Sequence, residues 1–230
     1  MEAPFVPLGA PGQPAGRRPL TIAKKAGSRY TVGMTSSLAP GFLIASPPLG
    51  DPNFDRTVVL LAVHSEAGAL GFIVNRTTSL SIGELLSYAG YGETPLDDST
   101  PVFLGGPVQP SSGWIVAIDP DLDDKTGGVI EVGERVRISS SRTAFDSLAR
   151  DVRRRAPGAS DPKRRLVVVG YSGWGPGQLE SEIGAGAWLP VPLDEGVLFD
   201  VDADQRWERA YALSGLSPLV MMSMRTVGQA

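Results

Sequence analysis

Several stretches of this chain carry residues whose types and spacing could do chemistry, and the richest is GYSGWGPGQLESEI at residues 170–183. A phosphate loop of the GxxxxGK[ST] type needs a lysine directly after a glycine, and the chain has none. A dinucleotide loop would begin at Gly173 and Gly175 but finds Gln178 where its third glycine belongs. Glu180 and Glu182, expected at the start of the following helix, would meet its dipole and repel a phosphate. A nucleophile elbow around Ser172 would need glycine where Trp174 stands and a histidine further along the chain, whereas the single histidine, His64, comes earlier. The stretch reads as a strand-to-helix corner holding Trp174. The functional alternative is a ligand or partner surface that includes Ser172, Trp174 and Gln178.

Other candidates divide in the same way between structure and recognition. Asp51-Pro52-Asn53 is a turn signal, because the Asx side chain bonds the backbone ahead and proline fixes φ. Phe54 would anchor that turn on the core, and Asn53 and Arg56 could recognise an anion. Asn75 and Arg76 close the next strand and could line the same rim. Gly105 and Gly106, followed by Gln109, could present N–H groups to an oxyanion or allow close backbone packing. His64, without any cysteine, points to a satisfied strand end rather than a zinc site. Asp119-Pro120-Asp121 lacks the glycine and glutamate of a calcium loop, since Asp124 and Ile130 hold those positions, and is expected to be an acidic surface turn. Arg150, Arg153, Arg154, Arg155, Lys163, Arg164 and Arg165 read as a solvated helix end and loop, with a local anion patch as the alternative. No aromatics interleave with them in sequence, so stacking of single-stranded nucleic acid is not indicated. No cofactor, metal or catalytic residue is expected.

The elements that must position these residues follow from periodicity. Strands are expected over 42–46, 56–64, 69–75, 102–104, 114–118, 129–132, 135–138, 166–171, 188–191 and 197–201. Helices are expected over 81–88, 141–155, 178–183 and 204–213, the second with Phe145, Leu148 and Val152 on one face. Residues 58–63 are apolar throughout, which implies burial on both faces. Strands and helices do not alternate regularly, which favours an α+β fold.

Composition sets the outer limits. At 230 residues, 42% hydrophobic and 20% charged, the chain suits one large globular domain, here 37–230, after an extension at 1–36 whose Pro, Gly and Ala content favours disorder. Met34 stands as an alternative start. No apolar run approaches the ~20 residues a membrane helix needs. With no leader pattern and no cysteine, cytoplasmic residence is expected. The whole chain carries a formal charge of −4, the first 34 residues contribute +4, and the remainder therefore carries −8. An acidic domain repels DNA phosphates, which argues against direct nucleic-acid binding.

Taken in order, GFLIASPPLGDPNFDRTVVLLAVH, GALGFIVNR, VFLGGPVQPSSGW and GYSGWGPGQLESEI, then GAWLPVP, resemble the AlgH/YqgE family of bacterial proteins from Leu38 to about Asp200. The resemblance implies a bent, bifurcated, mainly antiparallel sheet forming a pseudo-barrel with peripheral helices. The family is often labelled as transcriptional regulators, and the resemblance brings no catalytic or DNA-contacting residues with it. The expected function is a non-catalytic binding or regulatory module with a small-molecule or protein partner. Its contact surface would draw on Asp51, Asn53, Arg56, Asn75, Arg76, Gly105, Gly106, Gln109, Ser172, Trp174 and Gln178. The alternatives are a hydrolase or phosphate-ester enzyme using the glycine loops and Arg56, and a direct DNA binder.

Overall fold

Continuous apolar runs in the first half of the chain build a meander of β1 (Gly41–Ala45), β2 (Val58–Ser65) and β3 (Gly68–Ile73), paired antiparallel. The structure, a computed structural model, describes residues 37–46, 51–92, 98–122, 128–156, 159, 161 and 163–215; the expected extension at 1–36 lies outside them. Phe42, Ile44, Val58 and Leu60 face one core, and Leu43, Ala45, Val59 and Leu61 face another. Both faces of β2 are therefore covered, which is why its sequence does not alternate.

The sheet continues through β9 (Leu166–Trp174), β6 (Val108–Ala117), β8 (Val136–Ser139) and β7 (Val129–Val132), while β10 (Trp188–Pro192) closes the other end beside β1. A short arm of β4 (Thr77–Ser81) and β5 (Pro101–Leu104) branches from it. The branch point is β9. One edge pairs with β6, while the other takes β5 along Val168–Val169 and β3 along Ser172–Trp174. Only the β5–β9 pairing is parallel among the described strands. The result is the expected α+β fold, a mostly antiparallel sheet curled into a half-barrel, with five helices among the described residues.

At the fork three backbones meet, and side chains are excluded. A Cβ on Gly105 would lie 2.4 Å from the Gly170 carbonyl oxygen, and one on Gly106 would lie 2.4 Å from the Tyr171 carbonyl. Gly170 itself sits at φ +72°, with Gly106 O 2.5 Å from its would-be Cβ.

Local chemistry sets the helices. Ser81 caps α1 (Ile82–Tyr88) in a reciprocal box with Glu84, whose carboxyl is held below its usual range by the Ser81 backbone N–H and hydroxyl. Ser141 caps α2 (Arg142–Arg154), which buries Ala144, Leu148, Ala149 and Val152; the expected Phe145 is half-buried, against Gly113. The strand expected over 197–201 is instead α4 (Glu195–Phe199). Asp194 Oδ1 accepts the Val197 N–H at 2.8 Å, and Glu195 fills the first turn. α3 (Gln178–Gly184) and α5 (Arg206–Leu213) fall as expected within a residue or two. Two strands run longer than their periodicity suggested, β9 through Trp174 and β6 back to Val108, and β4 was not expected.

Candidate functional site

Asp51 opens the 51–57 turn by accepting the N–H of Asn53 at 2.8 Å and its side-chain amide at 3.0 Å. The turn ends with Arg56 in the left-handed region at φ +51°. It is held from beneath by Asn75 and Arg76, just past the end of β3. Asn75 Oδ1 accepts the Val58 N–H at 2.8 Å while Nδ2 donates to Arg56 O at 2.9 Å. The Arg76 guanidinium donates to the carbonyls of Pro52, Asn53 and Asp55 at 3.1, 2.9 and 2.7 Å. Above this lock Asp51, Pro52, Asn53, Asp55 and Arg56 are exposed. The Arg56 side chain lies 4.7 Å over the Trp207 ring and 3.4 Å from Glu208, a solvated pair that adds little stability.

Phe54 turns inward and joins the turn to the 170–183 motif. Its ring meets Trp188 edge-on at 5.3 Å and lies 6.5 Å from Trp174. Both indoles need an acceptor in this apolar setting, and one carboxylate serves them. Glu182 Oε2 accepts Trp174 Nε1 at 2.9 Å and Trp188 Nε1 at 2.8 Å, while Oε1 accepts Gln178 Nε2 at 2.8 Å. Gln178 Oε1 in turn accepts the Gly175 N–H at 3.1 Å. The sequence suggests a helix-start charge for Glu182, but the residue lies past the first turn of α3. The available signal was two buried-type tryptophans whose N–H groups require an acceptor. Glu180 does sit in the first turn, and its own backbone N–H, then the His64 ring, hold its carboxyl below the usual range. His64 Nε2 lies 2.8 Å from Glu180 Oε1, and Nδ1 accepts the Leu38 N–H at 3.1 Å, so this ring is a satisfied strand-end tie.

The remaining residues lie at the fork. Ser172 is buried, and its hydroxyl donates to Gly105 O at 3.3 Å. Leu104 N donates to Arg76 O at 2.8 Å, joining the fork to the turn. Gln109 is exposed beside the fork at φ +47°, and its carbonyl accepts the Ser112 hydroxyl at 2.8 Å. Ten of the eleven candidates thus form one chain of contacts running from turn to fork to α3, and Gln109 flanks it. A separate open groove of about 380 Å³ between α4 and α5 is lined by none of them.

Two readings of charge need correction. Asp119 is not an exposed acid but is buried and bound to Lys163 Nζ at 2.9 Å. Much of the basic cluster is likewise neutralised. Arg165 meets Asp161 at 2.6 Å and Asp151 at 3.0 Å, Lys163 also meets Asp151 at 3.3 Å, and Arg155 bridges Asp98 and Asp161 at 3.2 and 3.1 Å. Burial opposes the charge on Asp161, yet Arg165, the Lys163 N–H and Arg155 outweigh it and hold the carboxyl below its usual range. Lys163 is pushed up, because Asp119 and Asp151 outweigh its own desolvation. Among the described residues no group of three or more acidic or histidine side chains could hold a metal ion, and no helix is long and apolar enough to cross a membrane.

A forked, curled sheet carrying a locked turn and a tryptophan–carboxylate corner defines a distinct class of α+β protein. The AlgH-like family model matches residues 42–219. A UPF0301 protein of Anaeromyxobacter dehalogenans strain 2CP-1 is 40% identical over 190 residues, which are 80% of this chain and 91% of that protein. The solution structure of AlgH from Pseudomonas aeruginosa is similar with a TM-score of 0.65 and 30% identity, covering 84% of this chain and 97% of that one. A crystal structure of a Corynebacterium diphtheriae protein, 19% identical with a TM-score of 0.54, shares the fold. The chain belongs to the AlgH-like family.

Proposed function

We propose that this protein is a non-catalytic binding or regulatory module of the cytoplasm, acting through a protein or small-molecule partner at the surface centred on the 51–56 turn. One observation carries this reading: Asn75 and Arg76 spend five hydrogen bonds holding an exposed, polar turn in a single shape. A surface fixed before contact loses less entropy on binding. Asp51, Asn53, Arg56 and Gln178 supply the contacts. Asn75, Arg76, Gly105, Gly106, Ser172 and Trp174 supply the rigid support, with Gln109 at the margin. The −8 charge beyond residue 34 supports an indirect route for any effect on transcription.

The test is a photo-cross-linking residue placed at position 53 or 56 in cells, with exposed Glu131 on β7 as the control position. One discrete adduct from 53 and 56, absent from 131, is expected. Turnover of an ester or phosphate by the purified chain, abolished in Arg56→Ala, would overturn the reading. So would a steeply salt-dependent shift of duplex DNA that survives replacement of Arg17, Arg18, Lys24, Lys25 and Arg29 by serine.

A further inference from the structure

Folding brings part of the basic cluster of α2 together with α1 in a second surface. α1 and α2 lie side by side over one core cluster, to which they contribute Ile82, Leu86, Leu148 and Val152. Their outward residues therefore form one face. On it Arg142, Arg150, Arg153 and Arg154 are exposed. They fall at helical spacing over about 18 Å, twelve residues at 1.5 Å each. No carboxylate of the described residues pairs with them, in contrast to Arg155, Lys163 and Arg165 next door. Two tyrosines join this stripe from the end of α1 and the residues just after it. Tyr88 is 68% exposed, one of two large apolar side chains so placed among the described residues. Tyr91 packs between the helices, its hydroxyl donating to Arg142 O at 3.4 Å and its carbonyl accepting the Arg153 guanidinium.

We infer that the α1–α2 face, with Arg142, Arg150, Arg153, Arg154 and Tyr88, is a docking surface for an acidic segment of a partner protein. Arginine and tyrosine are the residue types that dominate binding energy at protein interfaces. The occupant's charge follows from complementarity: four guanidinium groups that no carboxylate of the described residues neutralises, on a domain whose remainder is strongly acidic. Its extent follows from the same numbers. A nucleic-acid strand running past this roughly 18 Å patch would meet the field of a domain that carries −8 beyond residue 34, whereas an acidic helix of about a dozen residues matches the patch in length. Asp146, within the stripe and beside the Tyr91 hydroxyl, offers one complementary site for a basic residue, which fixes register. This surface is independent of the 51–56 turn, and either can fail without the other.

The test uses the full chain, with Arg17, Arg18, Lys24, Lys25 and Arg29 replaced by serine in a parallel sample so that the basic N-terminal residues cannot account for the result. The probe is a fluorescein-labelled 18-residue peptide of Asp and Glu with Leu at every fourth position. A mixed-sequence 18-nucleotide single-stranded RNA and a Lys-for-Glu version of the peptide serve as competitors. Expected are saturable anisotropy changes with the acidic peptide, unchanged by the serine replacements and weakened at least tenfold in Arg150→Glu/Arg154→Glu. Tyr88→Ala should weaken binding several-fold. Amide shifts on titration should map to residues 88–91 and 142–154. Both sites are exposed, so melting curves of the variants should match the parent. Tighter binding of the RNA, shifts confined to 51–56, dependence on the N-terminal basic residues, or equal binding by the double-Glu variant would each overturn the proposal.

Discussion

Glu182 shows how much one side chain can organise when it accepts from several donors at once. It ties two indoles on different strands to the helix that follows β9, and Gln178 completes the set. Glu182→Ala leaves two largely buried indole N–H groups without the acceptor they share, and at roughly 1–3 kcal/mol for each such group the expected cost is about 2–6 kcal/mol. Glu182→Gln keeps an oxygen for the indoles but sets an amide N–H toward Gln178, so about 1–2 kcal/mol is expected. Urea unfolding followed by tryptophan emission reads both, and an alanine variant within 0.5 kcal/mol of the parent would show that the carboxylate organises nothing. Arg76 makes the matching case at the turn. Lysine has charge but not the fork geometry that reaches three carbonyls, so Arg76→Lys should cost about 2 kcal/mol and speed amide exchange across 53–58.

At the scale of elements, the fork of the sheet decides which glycines matter. Gly106 and Gly177 both have positive φ, but a Cβ at 106 would strike the Tyr171 carbonyl at 2.4 Å, while one at 177 would find no atom within 4 Å. Gly177→Ala should therefore cost only its backbone strain, about 1 kcal/mol. Gly106→Ala must push two strands apart, and about 3 kcal/mol or more is expected, or failure to fold. Thermal melts of the two variants side by side check the contrast, and equal costs would refute the close-packing account. The sequence made part of this legible. β1, β2 and β3 announced themselves because both of their faces are buried, and α2 because its apolar residues keep helical period. β4 did not, since Thr77–Ser81 is half-exposed and shades into the Ser81 cap. The helix at 195–199 was hidden behind two apolar neighbours, Val197 and Leu198, that suit either element; the deciding signal was the capping aspartate before them. The glycines at 105, 106 and 170 were visible, but their meeting depends on β9 changing partners, which is a property of topology rather than of any window of sequence.

The whole molecule is fastened at the foot of β9 by charges that lie far apart in the chain. Asp98 precedes β5, Asp119 follows β6, Asp151 and Arg155 end α2, and Asp161, Lys163 and Arg165 lead into β9. Their partners were unreadable in sequence, because an arginine cluster shows its own charge but not the acids that fold onto it. The pH dependence follows from two opposite shifts. Asp161 has its folded pKa below the unfolded value, so its contribution is complete above the unfolded pKa near 4 and disappears as pH falls through the lower folded one. Lys163 has its folded pKa above the unfolded value, so its contribution is complete below about pH 10 and is lost only as pH rises through the higher folded one. Between these limits the network should hold its full strength. Asp161→Asn leaves Arg165 and Arg155 partly buried beside a neutral amide, at a cost of about 3 kcal/mol at pH 7. That gap should persist down to about pH 5 and close toward pH 2, where the parent's own carboxyl is protonated. Lys163→Met should show its gap unchanged from pH 5 to 9. Melting temperatures of parent and variants across pH 2–9 test both. A gap for Asp161→Asn that is the same at pH 2 as at pH 7 would mean that the aspartate acts by shape and hydrogen bonding alone, and that the charges at the foot of β9 do not hold the half-barrel together.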